Sequence, residues 1–149
     1  MPSTYLLDTS VLVLLVRGGE IAERLDGEFG LRVSALRPLI CSVSIGELWA
    51  LAEVRGYGAE KRRAVQLAIE SSVVVDINDP LVVAGYVEVY KALRGHPSGS
   101  RTSIGENDMW IAAATRAADA TLLTLDKDFD PLHPSIVKRV LIERSRPKS

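Results

Sequence analysis

Short apolar runs alternating with helix-length amphipathic stretches predict an α/β fold, with a central, mainly parallel sheet of four to five strands flanked by helices in three layers. Helix start and stop residues fall between the runs, which fixes the alternation. Four acidic residues also sit at or near the ends of apolar runs: Asp8 in YLLDTSVL, Glu47 in ICSVSIGELW, Asp108 in ENDMWIAA and Asp126 in LLTLDKDF. In a parallel sheet, functional groups gather at the carboxyl ends of the strands.

Residues 4–7 read as a short buried strand that opens the fold. A helix follows over 10–16, closed by Gly18 and Gly19, and another over 20–28 carries Ile21 and Leu25 on one face. Pro38 precedes an apolar run over 39–43, too short and too turn-flanked for a helix, so it reads as the second strand. Residues 44–54 form a helix in which Ser44 and Glu47 fit a capping box, while Ile45, Leu48, Trp49 and Ala52 repeat at helical spacing. Gly56 and Gly58 break the chain before a helix over 59–70, with Val65, Leu67, Ala68 and Ile69 inside.

The β-branched run over 73–77 is the third strand. Asp79 as N-cap and Pro80 at the first helical position start a helix that runs to about Leu93. Residues 95–105 are rich in Gly, Ser and Arg and read as a loop. Asn107 or Asp108 opens a helix to Ala118, with an alanine-rich face suited to close packing on a sheet. A fourth strand over 121–124, a loop over 126–134, an edge strand over 137–142 and a disordered tail complete the chain.

A chain of 149 residues fits one domain, 1–149. Cys41 is the single cysteine, so no intramolecular disulfide forms, and a reducing, cytoplasmic setting is expected. The apolar N-terminus lacks a basic segment and is interrupted by Asp8, which excludes a secretory signal. No run reaches the roughly 20 apolar residues that span a bilayer, so no membrane partner is expected. A net charge of −1 excludes a domain that holds nucleic acid by bulk charge. Local basic patches remain at Lys61, Arg62 and Arg63, in the loop with Arg94 and Arg101, and in the tail, each also compatible with a solvated face.

Each acid alone has an ordinary structural explanation. Asp8 can cap the helix near Ser10, Glu47 can complete the capping box, Asp108 can favour a helix N-terminus, and Asp126 can stabilise a turn. Capping contributes about 1 kcal/mol per residue. Two carboxylates about 4 Å apart repel by roughly 4 kcal/mol at an effective dielectric near 20. If the four converge at one sheet edge, as the order of elements predicts, a cation or protons must offset the repulsion. Mg²⁺ suits an all-oxygen site that shares its coordination with phosphate. Cys41, His96 and His133 do not form a zinc set, and neither a Ser-His-Asp grouping nor a Gly-rich phosphate loop is present.

These motifs make the chain recognisable. YLLDTSVLVLLVRG, SVSIGELWAL and ENDMWIAAATRAADATLLTLDKDFDPL, in that order and spacing, resemble the PIN-domain ribonucleases, most closely the VapC-type toxins of toxin–antitoxin pairs. The resemblance implies a PIN-like domain that cleaves RNA with Mg²⁺ or Mn²⁺, forms a homodimer and is blocked by a small antitoxin. It puts the catalytic and metal-holding acids at Asp8, Glu47, Asp108 and Asp126, with Asp128 in reserve for the last position. The accompanying polar residue falls on Thr124, joined by Ser10 or Asn107. Arg94 and Arg101 are expected to hold the RNA strand.

Three other readings stay open at this point. One is a PIN-type nuclease of RNA processing or decay that has no antitoxin. Another is a phospho-accepting aspartate domain; its dehalogenase-like form wants a second Asp where this chain has Ser10. The third is a non-catalytic binding module, which would have lost the acids that this chain keeps.

Overall fold

The computed structural model describes residues 4–31, 36–95 and 104–144. The elements run β1 (Tyr5–Leu7), α1 (Thr9–Arg17), α2 (Glu20–Phe29), β2 (Leu39–Cys41), α3 (Ser42–Val54), α4 (Ala59–Glu70), β3 (Val73–Val75), α5 (Pro80–Arg94), α6 (Glu106–Ala117), β4 (Thr121–Thr124), a 3-10 helix (Lys127–Leu132) and β5 (Lys138–Leu141). The strands form one sheet in the order β3-β2-β1-β4-β5, and every pairing is parallel. The expected α/β class is therefore present, with the sheet parallel throughout.

Parallel pairing needs long crossovers, because each strand must return to the same edge before it starts. Helices supply them, and between β4 and β5 the 3-10 helix does. Successive strand residues point to opposite faces. Leu6 and Leu122 join Ile111, the alanines at 112–114 and Phe129 on the side of α5 and α6. Leu7, Ile40 and Leu123 join Val11, Leu12, Leu25, Leu48 and Val65 on the other side. Two apolar layers thus clamp the sheet, and every residue just named is fully or almost fully buried.

Strand order places the site. β1 leads leftward to β2 and β3, while β4 and β5 lie to its right. The order reverses between β1 and β4, which opens a crevice at their carboxyl ends where ligands bind in such sheets. Asp8 directly follows β1, and Asp126 lies two residues past Thr124, the last residue of β4.

Several boundaries differ from the sequence reading. β2 ends at Cys41, and Ser42 and Val43 belong to α3. The helix therefore starts earlier than a Ser44 cap requires; Cys41 occupies the N-cap position, and its side chain makes no capping bond. The capping box is absent because both of its members bond across the fold, as described below. β3 stops at Val75, and α6 opens at Glu106 after a Gly105 N-cap. The expected loop after Asp126 contains the 3-10 helix, with Phe129 and Leu132 buried on its inner side. At α5 the expectation holds: Asp79 accepts from the Leu81 amide at 2.9 Å and Pro80 is the first helical residue. Most of the predicted loop at 95–105, with His96 and Arg101, and nearly all of the basic tail lie outside the described residues. No described helix is long and apolar enough to cross a membrane.

The patch on α4 is structurally engaged. Arg62 pairs with Glu53 at 3.0 Å and donates to the Tyr57 carbonyl at 2.9 Å, and the Lys61 ammonium lies 5.2 Å from the Tyr57 ring centre. α5 and α6 cross at a glycine. A Cβ built on Gly85 would lie 2.9 Å from the Ala113 carbonyl oxygen and 3.4 Å from its Cα. Backbone cannot swing aside like a side-chain tip, so Gly85→Ala must part the helices. Overpacking of this kind costs about 1–3 kcal/mol. The urea midpoint of Gly85→Ala should fall accordingly; a midpoint equal to wild type would show that the crossing is not tightly packed.

Candidate metal centre

Asp8 is built into the sheet before it is built into a site. Its amide donates to the Leu123 carbonyl at 3.0 Å, which extends the β1–β4 ladder by one residue. Its side chain caps α1, with Oδ1 accepting from the Thr9 amide at 2.8 Å. Oδ2 accepts from the hydroxyls of Ser10 at 2.9 Å and Thr124 at 2.6 Å. Both hydroxyls are themselves fixed from the β4 side: Ser10 Oγ accepts from the Leu125 amide at 3.3 Å and Thr124 Oγ1 from the Asp126 amide at 2.9 Å. Asp8 is only 4% exposed. Burial pushes its carboxyl above the ordinary value, the three hydrogen bonds pull it back, and the Asp126 charge adds to the rise.

Asp126 caps the 3-10 helix, with Oδ1 accepting from the Asp128 amide at 2.8 Å. That turn brings Asp128 round to the same side. Asp108 enters from the first turn of α6, where the helix dipole favours an anion. One carboxylate oxygen from each of Asp108, Asp126 and Asp128 lies within 4.8 Å of the others. All three are half-buried. Oxygen ligands stand about 2.0–2.6 Å from hard dications, so opposite ligands are about 4–5 Å apart, the scale of this spacing.

The electrostatics agree with the spacing. Asp108 is pushed up from 3.8 to about 7, first by burial and then by the charges of Asp8, Asp126, Glu47 and Asp128. Asp8 and Glu47 thus stand outside the tight trio yet close enough to act on it. Among the described residues the ion pairs are Arg62–Glu53, Lys91–Glu88 and Arg139–Asp130, and none includes Asp8, Glu47, Asp108 or Asp126. Among the described residues, the donors to Asp8, Glu47 and Asp126 are amides and hydroxyls, which hold these carboxylates in place without cancelling their charge. The residues present therefore fit a divalent cation.

Glu47 comes from the second turn of α3, and Thr9 holds it: Thr9 Oγ1 lies 2.7 Å from Glu47 Oε1 and 2.8 Å from Ser44 Oγ. Sequence reasoning missed Thr9. Its only signal is its place inside the DTS string, since its partners lie 35 and 38 residues away. Asp128, held in reserve, joins the trio beside Asp126. Thr124 and Ser10 both bond Asp8, whereas Asn107 is exposed and makes no hydrogen bond to the acids among the described residues. His133 lies away from the acids, its Nδ1 accepting from the Arg139 amide at 3.1 Å.

Fold and centre together define a parallel α/β protein that gathers carboxylates for a dication at the point where its strand order reverses. A sequence model of the PIN domain matches residues 5–132, and the chain belongs to the PIN-domain family. No curated protein matches it in sequence. In fold it is similar to VapBC2 from Rickettsia felis, bound to a DNA fragment from its promoter, at 19% identity and a TM-score of 0.73, covering 93% of this chain and 98% of that one. VapBC-1 from nontypeable Haemophilus influenzae is 24% identical with a TM-score of 0.68, covering 93% and 97% of the two chains. FitAcB from Neisseria gonorrhoeae is 20% identical with a TM-score of 0.69, covering 91% and 96%.

A raised carboxyl value links the site to stability. Folded Asp108 holds a proton between pH 4 and about 7 that the unfolded chain, near 3.8, has released. Its contribution is fully present below the unfolded value and is lost as pH rises through about 7. The metal-free protein should therefore melt at a lower temperature at pH 8 than at pH 5, and Asp108→Asn should narrow that difference. Calorimetry in chelator checks both; a melting temperature that rises between pH 5 and pH 8 would contradict the crowding.

Proposed function

We propose that this chain is the toxin of a toxin–antitoxin pair, an endoribonuclease that hydrolyses RNA phosphodiesters with Mg²⁺ or Mn²⁺. The observation that carries this reading is the convergence of Asp108, Asp126 and Asp128 within 4.8 Å, at a crevice that Asp8 also borders. Membership of the PIN-domain family and fold similarity to toxin–antitoxin complexes support it. No observation favours a nuclease without an antitoxin.

In this mechanism Asp8, Asp108 and Asp126 hold the cation, with Asp128 as a further ligand. When bound, the cation lowers the pKa of water and screens the negative phosphate. Asp108, near 7 without metal, must give up its proton to become a ligand, so cation affinity rises with pH through neutrality. Glu47 completes the cation site or takes the proton of the attacking water. Ser10 and Thr124 keep both lone-pair directions of Asp8 Oδ2 occupied, which holds that carboxylate in one orientation. Arg94 and Arg101 hold the RNA strand by charge. A small antitoxin is the expected partner, and a second copy of the chain completes the assembly.

Asp8→Asn and Asp108→Asn should each lower RNA cleavage by about 100-fold or more while the fold persists, a scale typical of removing one preorganised charge from an active site. Chelator should abolish the wild-type reaction, and added Mg²⁺ or Mn²⁺ should restore it. In cells, the wild type expressed alone should arrest growth and leave new RNA ends that Asp108→Asn does not. Undiminished cleavage by either variant, or by wild type in chelator, would sink the assignment.

A further inference from the structure

Among the described residues, Glu47 is held by a side-chain hydroxyl and not by a backbone amide. Asp8 is capped by an amide, Asp126 is tied to the Asp128 amide, and Asp108 sits in a helix first turn. Glu47 sits on the second turn of α3, and its only hydrogen bond among the described residues is the one from Thr9. A glutamate has three rotatable side-chain torsions, so without that bond it samples many positions.

Thr9 is well suited to hold it. As the first residue of α1 it follows Asp8, and its amide donates to Asp8 Oδ1 at 2.8 Å. Its hydroxyl, 2.7 Å from Glu47 Oε1 and 2.8 Å from Ser44 Oγ, has one proton to give. An ionised carboxylate only accepts, so that proton goes to Glu47. Thr9 Oγ1 then accepts from Ser44, whose fully buried hydroxyl finds its partner here. The relay has one direction, from Ser44 through Thr9 to Glu47. Its middle member also donates, through its amide, to Asp8. The β-branched side chain restricts χ1, which fixes the hydroxyl better than serine would.

We propose that Thr9 is a positioning residue that fastens Glu47 to the acidic centre, coupling α3 to the β1–α1 turn and thereby setting cation affinity. The inference rests on the nuclease reading for its effect on RNA cleavage, and on the site geometry alone for its effect on cation binding. Thr9→Val keeps the shape and removes the hydroxyl, Thr9→Ser keeps the hydroxyl, and Glu47→Ala removes the group being positioned.

Mn²⁺ binding to the full chain without RNA, followed by electron paramagnetic resonance, is the primary readout. Changes around a metal's own ligands typically weaken binding 10–100-fold. Thr9→Val should weaken Mn²⁺ binding about 10-fold, and Thr9→Ser should stay within about threefold of wild type. In a Glu47→Ala background, Thr9→Val should change nothing further, since contacting residues couple and independent ones add. Raised Mg²⁺ should recover cleavage by Thr9→Val. Wild-type Mn²⁺ affinity in Thr9→Val, or effects that add in the double variant, would overturn the role of Thr9. Wild-type Mn²⁺ binding without any RNA cleavage would instead sink the nuclease reading and leave the binding comparison decisive for Thr9. A wild-type chain that binds no Mn²⁺ would overturn both.

Discussion

Carboxylates crowd around Asp108, and the rest of the site is arranged to keep them there. Burial and four like charges lift Asp108 to about 7. Left alone, such groups would separate or protonate. Hydrogen bonds from Thr9, Ser10 and Thr124, and the first turn of α6, resist that separation. A lysine or arginine in their place would relieve the strain more cheaply, but it would also occupy the space a cation needs. Among the described residues, neutral donors to Asp8, Glu47 and Asp126 hold the geometry and leave the charge of these three in place for a dication.

The sheet makes this economical in chain length. With the strand order reversing between β1 and β4, two strand ends deliver Asp8 and Asp126 to one crevice. The hydroxyls of Ser10 and Thr124 sew the two ends together, each donating to Asp8 and accepting from an amide past β4. Every parallel strand starts from the same edge, so the opposite edge is free to specialise. The apolar layers on the two faces do not contribute acids; they set the distance between the helices that do.

Much of this was legible in the order of residues. Asp8, Asp108 and Asp126 stand out because a charge at the end of a buried run has few structural reasons to be there. The strands and most helices follow from period and punctuation, and Asp79-Pro80 marked the start of α5 correctly. What was not legible is instructive. Ser44 and Glu47 have the spacing of a local cap, yet both bond Thr9 from another element, and α3 begins two residues before Ser44. A local pattern cannot reveal a tertiary competitor for the same atoms. Asp128 reads in sequence only as an alternative to Asp126, because its approach to Asp108 depends on a 3-10 helix, seated on buried Phe129 and Leu132, where the sequence reading has a loop. Asn107, attractive by adjacency, is exposed in the helical first turn while its neighbour Asp108 is half-buried there.

The glycine at the crossing of α5 and α6 has a reach beyond packing. Between Asp108 and Ala113 the helix climbs about 7.5 Å, and over that length it behaves as a stiff rod. One end of the rod is seated against the Gly85 backbone, and the other carries a carboxylate into the acidic crevice. Any tilt at the seat is transmitted to the tip, so the back of the molecule aims the oxygen at its mouth. Calibration of the ion's surroundings is thereby lodged in a contact that contains no polar side chain at all.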